Sequence, residues 1–150
     1  MKNILVTGSA GFIGKNLIQA LNRLEGVKIY PYDIGDDSNS LKEAVNKTDI
    51  IFHLAGINRP EKEEEYEKGN VGFTRDLVSF IEANKLNPLI IFSSSIQAAL
   101  DNPYGRSKLK AEQELDNWAK RTGGSVFIFR LPNVFGKWCR PNYNSAVATF

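Results

Sequence analysis

The sequence predicts an α/β domain, a doubly wound parallel sheet with helices on both faces. Three observations predict it. Short apolar runs alternate with segments of helical period along the whole chain, the pattern of strand–crossover–strand units. Those runs are almost continuously apolar, as in strands covered on both sides. The first of them ends in glycines spaced Gly8-x-x-Gly11-x-x-Gly14.

The elements follow in order. Residues 3–7 form the first strand, and Leu17, Ile18, Leu21 and Leu24 mark one face of the helix after the glycines. Residues 27–32 read as a second strand and 41–47 as a short helix. Residues 49–54 are a third strand, closed by Ala55-Gly56. A long helix is expected over 63–84, with Leu77, Val78, Phe80 and Ile81 on or near its buried side. Residues 89–92 are a fourth strand running into Ser93-Ser94-Ser95. Pro103 opens the next helix, where a first-turn proline loses no hydrogen bond. Residues 126–131 are a fifth strand between Gly123-Gly124 and Pro132.

Glycines between a strand and a helix let the backbone turn sharply and approach a pyrophosphate. The helix start offers free N–H groups and a positive dipole end. Gly8, Gly11, Phe12, Ile13 and Gly14 are therefore the candidate phosphate-binding segment of a Rossmann-type sheet. The spacing departs from the Gly-x-Gly-x-x-Gly fingerprint. Ligands of such sheets bind beyond the carboxyl ends of the strands. Leu54, Ala55 and Gly56, Ser93 to Ser95, and Asn133 all fall on that rim.

Tyr104 and Lys108, four apart on one helix face, lie nine positions and more after Ser95. An ammonium beside a phenol favours phenolate, so tyrosine can exchange protons nearer neutrality. A serine hydroxyl can hold a substrate oxygen against it. Such a set moves a proton on and off oxygen while a hydride moves at the adjacent carbon.

Composition excludes several classes. One hundred and fifty residues suit one domain, and 19 basic against 17 acidic residues leave no basic stripe for nucleic acid. The charges at Glu61 to Lys68 read as a solvated helix start. No apolar stretch would span a bilayer and no signal-peptide layout opens the chain. The lone Cys139 forbids an internal disulfide and fits a reducing, cytoplasmic setting. No metal site is expected.

In order along the chain, residues 7–14, His53 to Gly56, Phe92 to Ser95, Tyr104-x-x-x-Lys108 with Ser107 and Glu112, and Arg130 to Gly136 resemble the extended short-chain dehydrogenase/reductases, the NAD-dependent epimerase/dehydratase group acting on nucleotide sugars. Residues 53–60, 93–108 and 132–145 resemble more closely the N-terminal reductase domain of CapF-type enzymes of bacterial capsule and O-antigen synthesis. That resemblance implies NAD(P)H-dependent reduction of a UDP-linked 4-keto-6-deoxy-hexosamine, on the route to UDP-N-acetyl-L-fucosamine. It implies Tyr104 as the acid/base, with Lys108 on the cofactor ribose and Ser95 as the hydroxyl partner. Ser94 is the second choice for that partner and a candidate substrate contact. Asn133 would touch the substrate phosphates, and Pro132 would lie by the nicotinamide. A homodimer is implied in which the helices over 63–84 and 104–122 pack against their copies, with Phe73, Leu77 and Phe80 on one and Leu109, Leu115 and Trp118 on the other offering more apolar surface than one sheet face needs. The alternatives are an epimerase that retains NAD and a non-catalytic NAD(P)-binding module.

Three departures qualify the match. Residues 33–49 are too few for a helix–strand–helix crossover, so one family strand reads as deleted. Asp33 then has two readings: the ribose acid of strand two, which favours NAD, or the acid after the lost strand, which leaves NADP open, and the resemblance itself implies NADPH. Ile96 and Gln97 replace the Asp-Glu pair of the family's dehydratases, which disfavours dehydration. Residues 1–150 read as the NAD(P)-binding domain alone, without the substrate-binding portion or the cupin domain of CapF-type enzymes.

Overall fold

The structure, a computed structural model, describes residues 1–139. Five strands form one parallel sheet: β1 (Lys2–Thr7), β2 (Val27–Tyr32), β3 (Ile50–His53), β4 (Leu89–Ser95) and β5 (Val126–Leu131), in the order β2-β1-β3-β4-β5. The chain leaves β1 toward β2 and then crosses back to β3. The order therefore reverses between β1 and β3, where doubly wound sheets open their ligand crevice. Among the described residues no strand flanks β2 on its outer side, as the short span from 33 to 49 requires.

Period-two patterning splits the core. Ile4 and Val6 of β1 meet Leu17, Ile18 and Leu21 of helix α1 (Phe12–Leu21) on one face. Leu5, Ile51, Ile90 and Phe92 point the other way. They are covered by α2 (Ser38–Lys47), α4 (Phe73–Ala83) and α5 (Pro103–Thr122), with Val45, Leu77, Ile81, Leu115 and Trp118 interleaved. Helices thus lie on both faces, but unevenly. Val126 and Ile128 pack under α5, so Phe127 and Phe129 turn to the α1 side, where they are 55% and 53% exposed.

The helix expected over 63–84 is interrupted. Helix α3 (Glu64–Tyr66) runs into a π-helical segment, Glu67–Gly72, before α4 begins. The wider turn carries Asn70 and Val71 into the interior. Gly69 lets Ile57 pack directly on this turn, because a Cβ there would collide with Ile57 Cδ1.

Helix α5 starts and stops on clear signals. Asn102 caps it by accepting from the Gly105 amide at 2.7 Å, Pro103 fills its first turn, and Gly123 ends it at φ +73°. The apolar residues expected to face a second copy are largely spent inside the monomer: Leu77, Leu115 and Trp118 are at most 2% exposed. Phe73 lies between the rings of Tyr32 and His53. The outer faces of α4 and α5 are instead joined by Arg75–Glu114, and Arg121 pairs with Glu82 beside them.

Candidate functional site

A cleft of about 1050 Å³ opens at the carboxyl edge of the sheet. It gathers Gly8, Gly11, Phe12, Ile13, Gly14, Leu54, Gly56, Ser94, Ser95, Tyr104, Lys108, Pro132 and Asn133. Four loops, distant in sequence, meet there because all five strands are parallel and present the same end.

The three glycines do different work. Gly8 has φ +71°, and a Cβ on it would lie 2.7 Å from the Ala55 amide, so the loops after β1 and β3 meet backbone to backbone. A Cβ at Gly14 would collide with the Gly8 carbonyl oxygen, which seats α1 directly on the loop. Gly11 meets only Gly8 O, at 3.2 Å, and is exposed toward the cleft. Helix α1 begins after it with no side-chain cap. Its first amides and dipole end are thus left for an anion, which fits a dinucleotide pyrophosphate. Asp33, just after β2, accepts from the Ala10 amide at 2.6 Å and so borders the same loop. Ala55 donates to Thr7 Oγ1 at 3.3 Å.

Behind the loops runs a directional chain of buried hydrogen bonds. Thr74 Oγ1 donates to Asn70 O at 2.7 Å, so it accepts from His53 Nε2 at 2.8 Å. His53 Nδ1 is then the acceptor for Thr7 Oγ1, also at 2.8 Å. His53 is fully buried, stacked on Phe92 and edged by Phe73. Burial, then the Lys108 charge, push its pKa down to about 3. It is a neutral strut between β1, β3 and α4, as its position at a strand end suggests, and not an acid/base group.

Lys108 is 4% exposed. Its Nζ donates to Ser93 O at 2.9 Å and lies 4.8 Å from the centre of the Phe92 ring. Burial lowers its pKa to about 8, against the opposing influence of Glu112. Asn70 clamps the neighbouring loop: Oδ1 accepts from Ile57 N at 2.7 Å, while Nδ2 donates to Ile57 O and to Ser107 Oγ. Ser107 in turn donates to Tyr104 O at 2.7 Å. Tyr104 lines the cleft with its ring 5.8 Å from Tyr66, whose hydroxyl donates to Asn58 O at 2.8 Å.

The serines diverge as strand alternation requires. Ser95 Oγ accepts from Gln97 N at 3.1 Å, starting a 3₁₀ turn over Ile96–Ala99, and keeps its own proton to give. Ser94 Oγ donates to Glu112 Oε1 at 2.6 Å and is 4% exposed. Its hydroxyl is thus committed to α5. Pro132 and Asn133 are exposed on the rim, and the segment after them crosses α1, where Lys137 O accepts from Asn16 Nδ2 at 2.8 Å. Of the matched stretch 132–145, positions 140–145 lie outside the described residues.

Sequence reasoning passed over Tyr66, Asn58, Arg59 and Trp138, which also line the cleft. Tyr66 owes its place to the π-helical turn, which no period-3.6 pattern reveals. Trp138 stands in the left-handed region at φ +66°, unreadable from residue type. Among the described residues no helix is long and apolar enough to cross a membrane, and no cluster of metal-ligating side chains occurs.

Residues 4–150 match the model of the NAD dependent epimerase/dehydratase family. The chain is 48% identical over 147 residues to a UDP-2-acetamido-2,6-beta-L-arabino-hexul-4-ose reductase of Pseudomonas aeruginosa, covering 98% of this chain and 40% of that one. It superposes on the capsular polysaccharide assembling protein CapF of Staphylococcus aureus with a TM-score of 0.85 and 46% identity, again over 98% of this chain and 40% of the other. A UDP-glucuronic acid 4-epimerase of Bacillus cereus in complex with NAD shares the fold at TM-score 0.82 and 24% identity. The chain spans about 40% of the length of its two nearer relatives here.

Proposed function

The chain belongs to the NAD-dependent epimerase/dehydratase family, and from that premise we propose that it is the cofactor-binding and catalytic part of a reductase acting on a UDP-linked 4-keto-6-deoxy-hexosamine. One observation carries the reading: Ser95, Tyr104 and Lys108 line one cleft with the glycine loop. The nearer relatives, a keto-sugar-nucleotide reductase and a capsule-assembly protein, support the substrate class.

The bound dinucleotide would supply the hydride. The chain's own residues do the rest. Gly11 and the first amides of α1 hold the pyrophosphate, with Leu54, Ala55, Gly56 and Pro132 along the dinucleotide and Asn133 toward the substrate phosphates. Ser95 donates a hydrogen bond to the substrate's keto oxygen. Tyr104 gives that oxygen its proton as negative charge develops there, and the Lys108 ammonium steadies the tyrosine that has lost it. Ile96 and Gln97 stand where a dehydratase needs an acid and a base, and neither can move a proton.

Asp33 supports NADH over NADPH. It follows the strand paired to β1, beside the phosphate loop, where a carboxylate accepts from a ribose hydroxyl and repels a 2′-phosphate. Self-association through α4 and α5 rests on Phe80 and Leu109, which stay half-buried, and sedimentation velocity decides it.

The test is turnover. A UDP-linked 4-keto-6-deoxy-hexosamine with the full-length protein containing this segment should consume NAD(P)H and yield a single reduced sugar, whereas residues 1–150 by themselves are expected to bind nucleotide with little or no turnover. Isomerisation without consumption would make the protein an epimerase, and nucleotide binding without either would make it a binding module.

A further inference from the structure

Glu112 has no part in the chemistry above, yet it joins α5 to both β4 and β5 through its own hydrogen bonds. It lies one turn beyond Lys108 and two beyond Tyr104 on the same side of α5. Its Oε1 accepts from Ser94 Oγ at 2.6 Å and from Arg130 Nε at 2.9 Å, and its Oε2 accepts from Arg130 Nη2 at 2.8 Å. Ser94 precedes Ser95 on β4, and Arg130 stands two residues before Pro132 on β5. The carboxylate is 5% exposed, while the guanidinium reaches out to solvent.

We propose that Glu112 is the positioning residue of the site, a three-bond clamp that fixes the catalytic helix against β4, which bears Ser95, and against β5, which leads into Pro132. A planar, two-pronged guanidinium bond admits little sliding or rotation, and the serine bond adds a third direction. Removing the carboxylate frees α5 to shift along the sheet. It also strips Lys108 of its supporting anion.

The groups around Lys108 make the electrostatic half of the clamp testable. Tyr104 and Glu112 share its helix, and neutral His53 faces it from β3. Arg130 reaches it only through Glu112. Phe92, Ser93, Gly56 and Asn70 bring no charge, and Lys15 and Arg59 line the same cleft. Among the described residues, Glu112 is the carboxylate that acts on the lysine, opposing its burial.

The clamp rests on the reading that Lys108 serves the cofactor, so two measurements separate the failures. The first follows the Lys108 side-chain titration by NMR in the nucleotide-free chain. Glu112→Gln should move its midpoint down by roughly half a pH unit or more, and Arg130→Met, which leaves the carboxylate facing only the lysine and Ser94, should move it up. The second follows NADH affinity at neutral pH. Glu112→Gln should weaken it by about threefold or more, and Ser94→Ala, which keeps the charge but loosens the clamp, by less. If Glu112→Gln does not fold, the opposite-signed shift in Arg130→Met decides the matter. Unmoved titration in the folded variants overturns the clamp. Correct titration shifts in a chain that does not bind NADH would leave the clamp standing and overturn the cofactor reading.

Discussion

The Ala10 amide donates to Asp33 Oδ2 at 2.6 Å, tying the acid that ends β2 to the loop that ends β1. The negative charge is thereby held beside the phosphate-binding turn. NADH should bind about tenfold or more tightly than NADPH, and Asp33→Ala should shrink that ratio by a similar factor, or ~1.4 kcal/mol. Titration of intrinsic fluorescence, with Trp138 lining the cleft as reporter, measures both constants. Equal affinities in the unmodified chain would refute the assignment.

Gly11 and Gly14 should fail differently. Gly14→Ala drives a Cβ into Gly8 O and to 2.9 Å from Ser9 Cα. It should cost about 3 kcal/mol or more, read by urea denaturation. Gly11→Ala meets one atom, at 3.2 Å. It should leave stability within about 1 kcal/mol while weakening nucleotide binding at least tenfold, because the added methyl stands where the pyrophosphate must approach.

Burying His53 makes the fold acid-sensitive. Its folded pKa of about 3 lies below the ordinary 6.5. The unfolded chain therefore binds the proton first, and stability is complete above pH 6.5 and falls as pH drops from 6.5 toward 3. The slope approaches about 1.4 kcal/mol per pH unit. Urea midpoints across that range should show it, and a variant such as His53→Leu, if folded, should lose that part of the pH dependence. A flat profile would mean that the imidazole takes up its proton inside the fold.

Lys108 should trade stability for function. Its folded pKa of about 8 lies below the ordinary 10.5, so the buried charge costs stability at every pH below 8, and that cost fades as pH rises from 8 to 10.5. Lys108→Met removes the charge and keeps the stem. It should be roughly 2 kcal/mol more stable at pH 7, less what Ser93 O loses by giving up its donor. NADH binding should fall at least tenfold. A lower melting temperature in that variant would contradict this balance.

Tyr104→Phe keeps the ring packed against Tyr66 and removes only the proton donor. Where turnover of the keto sugar is measured, kcat should fall by about 100- to 10,000-fold, with NADH affinity unchanged. A wild-type rate would reassign the acid.

Most of the sheet was legible because its strands hold short apolar runs, some of them bounded by glycine or proline, as at Thr7-Gly8 and Leu131-Pro132. The rim was legible for the same reason, since parallel strands bring their last residues together. What stayed hidden depends on helical phase and side-chain direction. Ser94 and Ser95 are equivalent as letters, but alternation sends one hydroxyl to Glu112 and leaves the other at the cleft. The apolar stripe of Leu77, Leu115 and Trp118 looked like a docking surface. Among the described residues α1 is the helix on the far face, and these three side chains are core on the sheet's other side.

The π-helical turn over Glu67–Gly72 holds one residue more than an α-helix would use, and that surplus has an evolutionary consequence. Deleting Gly69 would let the segment relax into an unbroken helix, with the residues ahead of it keeping their phase relative to α4, because the wide turn absorbs its extra residue locally. Tyr66 would stay beside Tyr104, while Asn70 would be drawn out of the wide turn and lose its grip on Ile57. A lineage could therefore remodel the mouth of this cleft by gaining or losing a single codon, without altering any residue of the sheet.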